Sequence, residues 1–324
     1  MTISRGIIWD NHACMPLRAD DAFLPQLERL RAVGVDIVSL NVGFADTPWE
    51  EHLRVLSYMR CWIAKHPDRY RLVATAADAA RCKEERKLGV VFDIEGMRAV
   101  EDNLSLVQTF YELGVRWMLI AYNRNNKAGG GCLDEDGGLT DLGRAIIDEM
   151  ERVGMILCLS HTGARTATDA LEYARRPVIF SHSNAYGYHA HARNISDDLM
   201  IACARKGGVV GVNGIGLFLG GDSARLAERL VGHLLYMIDR IGADHVGLAL
   251  DYVFDRSELE DYVRQHPELF PKDDFKRSTD YTAMVAPEEL DTIAEGLAHA
   301  NLTEAQIRSV MGENWMRLAT ELWR

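Results

Sequence analysis

Eight continuous apolar runs of strand length, each followed by a longer amphipathic stretch, leave few folds open to this sequence. The runs are Gly6–Asp10, Asp36–Val42, Lys87–Ile94, Arg116–Tyr122, Met155–Ser160, Pro177–Ser181, Gly208–Asn213 and His245–Leu250. Runs that do not alternate with polar residues mark parallel strands buried on both faces. Helix-patterned segments separate them: Ala22–Ala32, Trp49–Lys65, Asn103–Glu112, Asp141–Arg152, Arg165–Arg175, Asp197–Arg205 and Ala224–Ile241. This alternation, with no strand-only block, predicts an α/β fold of the (β/α)8 TIM barrel kind, with an open doubly wound sheet as the alternative. No repeat or linker divides the chain, so residues 1–324 read as a single barrel domain. Residues 253–285, acidic and aromatic with Pro267 and Pro271, are expected to form a long loop or insertion after the last strand, where lids often sit. Two C-terminal helices follow, Pro287–Ala300 and Thr303–Leu322. Thr303 and Gln306 make a capping box for the second, and Gly312-Glu313-Asn314 is a candidate break in it.

Forty-eight acidic against 36 basic residues give a formal charge of -12, which argues against a nucleic-acid or anionic-membrane partner. No stretch approaches about 18 uninterrupted apolar residues, so no membrane span is expected. The first residues lack the pattern of a secretory signal. Six cysteines (Cys14, Cys61, Cys82, Cys132, Cys158 and Cys203) form no CxxC pair. They read as reduced thiols, and the chain as cytoplasmic.

The chemistry lies where the runs end. Asp10, His12 and Cys14 close the first, Glu95 the third, Tyr122 the fourth, His161 the fifth, His182 the sixth and Asp251 the eighth. In a barrel all of these strand ends meet at one mouth. Neutral imidazoles and a carboxylate from separate strands suit zinc or a similar divalent ion, which can lower the pKa of bound water towards 7. Other features carry less. His189-Ala190-His191 has ligand spacing but falls in a loop after Tyr186-Gly187-Tyr188. Gly129-Gly130-Gly131 lacks the residues of a phosphate cradle and reads as a mobile turn near the mouth. Asp10 and Asp93 are expected to support the site by hydrogen bonding.

Over residues 6–320 the chain resembles the membrane (renal) dipeptidase family, peptidase family M19, of the amidohydrolase-like metal-dependent barrels. The resemblance is carried by Ile156–His161 followed by His182 in Val178-Ile179-Phe180-Ser181-His182-Ser183, by Ala192-Arg193-Asn194-Ile195-Ser196-Asp197-Asp198, by Val246–Asp255 and by Gly312-Glu313-Asn314-Trp315. It implies one or two zinc ions per chain, with Glu95 bridging, His161 and His182 on one metal and His12 on the other. It further implies that Arg193 pairs with a substrate carboxylate, that Asp251 moves the proton, and that the protein is a homodimer acting on a small carboxylate-bearing molecule.

Two departures stand out. The family's His-x-Asp reads His12-Ala13-Cys14 here, and the histidine it carries on the fourth strand is replaced by Tyr122 in Ala121-Tyr122-Asn123. Cys14 either ligates as a thiolate or leaves that position weak. Tyr122 can donate to a developing oxyanion, and the Tyr-Asn pair resembles a bacterial branch of the family. The leading expectation is a zinc-dependent, dipeptidase-like hydrolase cleaving an amide near a free carboxylate. A lactone, ester or modified-amino-acid hydrolase is the alternative, and a non-catalytic binding barrel the third.

Overall fold

The computed structural model describes residues 6–221, 223–270 and 282–324. Its strands are β1 Trp9–Cys14, β2 Ile37–Phe44, β3 Tyr70–Leu72, β4 Leu88–Glu95, β5 Val115–Leu119, β6 Ile156–Cys158, β7 Ile179–Phe180, β8 Val209–Val212, β9 Val246–Leu248 and β10 Tyr252–Val253. All pairings between them are parallel, in the order β10-β1-β2-β4-β5-β6-β7-β8-β9. The two ends of that path, β9 and β10, are halves of one stave interrupted at residues 249–251. β9 pairs with β8 and β10 with β1, and the Asp251 N–H donates to His12 O (2.9 Å) across the seam, so the ring closes. The result is a (β/α)8 barrel, with β3 as a short extra strand on β4.

The inward faces of the staves change character from floor to mouth. Along β4, Val91 belongs to the apolar interior while Asp93 and Glu95, two and four residues on, share its side of the strand. Trp9, Trp117, Ile156, Ile179 and Val209 fill the floor together with Trp315 from the C-terminal helix Asn314–Leu322. Trp315 Nε1 donates to Leu248 O (3.0 Å). Gly247 and Gly211 make room for it, since a Cβ on either would fall 2.6 and 3.0 Å from the indole. Apolar carbon thus occupies the floor, and the ionisable groups are left at the rim.

Several boundaries differ from the sequence reading. β1 begins and ends later than Gly6–Asp10, because ladder pairing with β2 shifts register after Asp10 and resumes at Ala13, which carries the strand past the buried Asn11 and His12 to Cys14. The strand Tyr70–Leu72 and the helix Ala76–Glu85 have no counterpart in that reading. The helix is mostly polar and is fixed by a Thr75–Asp78 capping box. Residues 253–285 are not simply a loop, because Asp255 caps a helix over Arg256–Gln265. Residues 271–281 of that segment lie outside the described part of the chain. The Thr303–Gln306 capping box is present, and the last helix is broken at Ser309–Glu313, where a Cβ on Gly312 would lie 2.4 Å from Ile7 O. No helix among the described residues is long and apolar enough to cross a membrane.

Candidate active site

The strand ends bring His12, Glu95, His161, His182 and Asp251 to one point, as the barrel geometry predicts. His161 and Asp251 sit where their strands give way to loops, and both take left-handed backbone (φ 61° and 56°), as does Asn123 (φ 58°). Such strain persists where the surroundings fix it, and it clusters at functional sites. Here it turns the side chains across the mouth.

Each imidazole is held from behind. His161 Nδ1 lies 2.7 Å from Asn123 Oδ1, and Asn123 Nδ2 donates to Leu269 O, so the amide oxygen is the acceptor and His161 carries its proton on Nδ1. His182 Nδ1 is 2.8 Å from Ser181 Oγ. His12 Nδ1 is 3.3 Å from Asp93 Oδ2, and Ser39 Oγ and Asn41 Nδ2 donate to that carboxylate at 2.6 and 3.1 Å. All three rings therefore turn Nε2 inwards, the arrangement by which outer partners orient metal ligands.

The inward atoms have the spacing of a coordination shell. Glu95 Oε1 lies 3.1 Å from His182 Nε2 and 3.4 Å from His161 Nε2, and those two nitrogens are 2.9 Å apart. Around a tetrahedral zinc with ligand bonds near 2.05 Å, neighbouring donors are about 3.3 Å apart. Glu95 Oε1 is buried without a hydrogen bond, and two imidazole lone pairs face one another beside it. A cation satisfies both conditions. A second set, sharing His182, gathers His12 and Asp251, whose Nε2 and Oδ1 are 3.3 Å apart. Cys14 Sγ is 3.6 Å from each of those atoms, and the longer zinc–sulfur bond makes about 3.6 Å the expected separation. Glu95 Oε1 stands between the sets, 3.6 Å from His12 Nε2.

Electrostatics agree with the donor chemistry. Burial, then the Arg193 and His12 charges, hold His161 well below the usual histidine range. Burial, then His12, does the same for His182, so both are neutral imidazoles. Burial also opposes charge on His12, but Asp93, Cys14 and Glu95 outweigh it and raise that imidazole well above its ordinary value. Burial pushes Glu95 up to about 8 and Cys14 up to about 12. These are groups strained by losing water, which a divalent charge would relieve.

A family model described as membrane dipeptidase (peptidase family M19) matches residues 26–272. The chain belongs to that family. An uncharacterized dipeptidase of Schizosaccharomyces pombe is 32% identical over 285 residues, covering 84% of this chain and 63% of the relative. A dipeptidase of Claviceps purpurea is 32% identical over 191 residues, 58% of this chain and 45% of the relative. The chain thus spans about half to two thirds of the curated relatives it matches. Among solved structures, an amidohydrolase from Pseudomonas aeruginosa superposes with a TM-score of 0.83 at 26% identity, covering 98% of this chain and 96% of the other.

Within this member of the membrane dipeptidase family, Arg193 lines the cavity above the donor atoms. Its NH2 donates to His182 O (3.1 Å), its guanidinium lies 5.6 Å from the Phe218 ring, and its Nε is buried without a partner. Asp197 is not its counter-ion, being engaged by Arg240 (2.7 Å) and Tyr236. Tyr122 stacks on His161 (4.2 Å between ring centres) and also lines the cavity. Burial, then Glu95 and Asp251, raise its hydroxyl well above the usual range. Asp251 Oδ2 accepts from Asn213 Nδ2 at 2.7 Å. Asp10 joins neither donor set and instead accepts from Leu250 N (2.8 Å), tying β1 to the last stave. His189 and His191 also stand outside the two sets. Gly129–Gly131 is buried and pinned, with Gly130 N donating to Thr166 Oγ1 (2.9 Å) and a Cβ on Gly131 only 2.2 Å from the Asn123 backbone, which does not fit a loose turn. Asn123, Asn213, Phe44, Leu259, Tyr262 and Phe270 were not singled out from sequence as site residues. The acidic and aromatic composition of residues 253–285 was the signal available for the last three.

Proposed function

We propose that the chain is a zinc-dependent, dipeptidase-like hydrolase that cleaves an amide bond near a free carboxylate. The observation that carries this reading is the meeting of Glu95 Oε1 with the Nε2 atoms of His161 and His182 at coordination spacing. Those three residues would hold one ion, and His12 with Cys14 a second on the other side of Glu95. Such ions, when bound, polarise the scissile carbonyl and lower the pKa of water.

The remaining steps belong to the chain itself. Arg193 receives the substrate carboxylate through its planar guanidinium and so fixes which amide reaches the donors. Asp251, held through Oδ2 by Asn213, takes a proton at Oδ1 and returns it to the leaving nitrogen. Tyr122 keeps its hydroxyl proton because burial raises its pKa, and it donates to the carbonyl oxygen as negative charge develops.

The test is metal content per chain followed by a panel of L,L, L,D and N-acylated substrates. At least one carboxylate-bearing amide is expected to be hydrolysed, with activity lost to a chelator and restored by zinc. Stoichiometric metal with no amide cleaved would contradict the proposal.

A further inference from the structure

The geometry points to an N-acylated amino acid with a bulky apolar acyl group as the substrate class, in preference to a dipeptide with a free α-ammonium. This inference rests on the hydrolase reading above and goes on to name what the cavity takes. The cavity measures about 460 Å³. From Tyr122 its wall runs outwards through the rings of Phe44 (5.1 Å), Tyr262 (4.9 Å from Phe44) and Phe270 (6.3 Å from Tyr262). Leu259 and Val263, on the same helix as Tyr262, continue that apolar surface. Arg193 supplies a positive charge beside the donor atoms. Outside the donor sets, the described carboxylates on the wall are Glu51 and Glu258, and each is already paired, with Arg54 at 2.5 Å and Arg18 at 2.6 Å.

A substrate ammonium entering this apolar chamber would exchange water for aromatic and aliphatic carbon, and among the described residues outside the donor sets no unpaired carboxylate lines it to meet that charge, so the transfer is unfavourable. An acyl chain gains from the same move. One cation beside the reacting atoms and an apolar chamber beyond them match a molecule with one anionic end and one apolar end. The reaction balances as a hydrolysis. Water's oxygen bonds to the acyl carbon, the carbon–nitrogen bond breaks and the nitrogen gains a proton. The products are an apolar carboxylic acid and a free amino acid.

The experiment uses the full chain. The zinc-loaded form is assayed on N-acetyl-, N-butanoyl-, N-hexanoyl- and N-octanoyl-alanine of both chiralities, against Leu-Ala and Phe-Ala. The expected kcat/KM rises about fourfold per added methylene until the cavity fills, and the N-octanoyl substrate exceeds both dipeptides by about tenfold or more. Binding to the metal-stripped chain is expected to show the same order by calorimetry. Leu259→Asp is expected to shrink the octanoyl-to-acetyl ratio by about tenfold. Turnover with a flat chain-length series, a preference for the free-amine dipeptides, or an unchanged ratio in the variant overturns the substrate assignment and leaves the hydrolase standing. No turnover of any amide overturns the hydrolase reading and this assignment with it.

Discussion

Arg193 is a buried guanidinium beside the donor atoms whose Nε has no partner and whose NH2 is held by a backbone carbonyl. A charge-assisted bond to a substrate carboxylate is worth about 1.5–3 kcal/mol, so Arg193→Met is expected to lower kcat/KM roughly 10–150-fold. The loss should fall on substrates with a free carboxylate and spare their methyl esters, and an equal loss on both would remove the assigned role. Asp251→Asn keeps the shape but not the basicity, and steady-state assays should show kcat reduced by about 10²–10⁴. Cys14→Ser should lower the zinc content towards one ion per chain, because a hydroxyl is a poorer donor than a thiolate. Unchanged metal content would take Cys14 out of the site. The candidate donors and Arg193 were legible in sequence because each follows an apolar run or sits in a family motif. Asn123 and Asn213 were not, since an amide near a strand end has no periodic signature and its role exists only once two staves are side by side.

Among the elements, the last stave does most to build the mouth. Its break at residues 249–251 lets β9 and β10 each pair with a different neighbour and turns Asp251 towards His12. Apolar periodicity marked the stave but not the break, because Ala249 and Leu250 continue the pattern that the backbone abandons. The helix Arg256–Gln265 escaped notice for a different reason. It is ten residues long with a largely polar face, and its apolar residues are selected by the cavity they cover. At the floor, the interrupted C-terminal helix depends on close backbone contact. Gly312→Ala places a methyl group 2.4 Å from Ile7 O. Urea unfolding is expected to show a loss of about 1–3 kcal/mol from such overpacking, and a neutral result would mean that the helix can withdraw without penalty.

For the whole molecule, acid should weaken the fold through His233, which belongs to neither donor set. Its Nδ1 accepts from Ala185 N (3.2 Å), its Nε2 donates to Leu219 O (3.2 Å), and burial pushes it down to about 4 from 6.5. The unfolded chain takes up this proton near 6.5, whereas the folded chain refuses it until about 4. This contribution is complete above that window, is lost as the pH falls through it and levels off below, a change of about 3 kcal/mol. Urea titrations at several pH values should show a shallower acid slope for His233→Gln than for the unsubstituted chain. At this scale the barrel itself was readable from eight apolar runs, since buried parallel staves leave a continuous hydrophobic record. Elemental analysis of dialysed protein reads directly whether the mouth gathers a cation between Glu95, His161 and His182. At least about one zinc per chain is expected in the wild type and less than about a tenth of that in Glu95→Gln. A wild type that emerges without metal and takes up none on incubation with zinc, or a Glu95→Gln variant that holds as much, would contradict it.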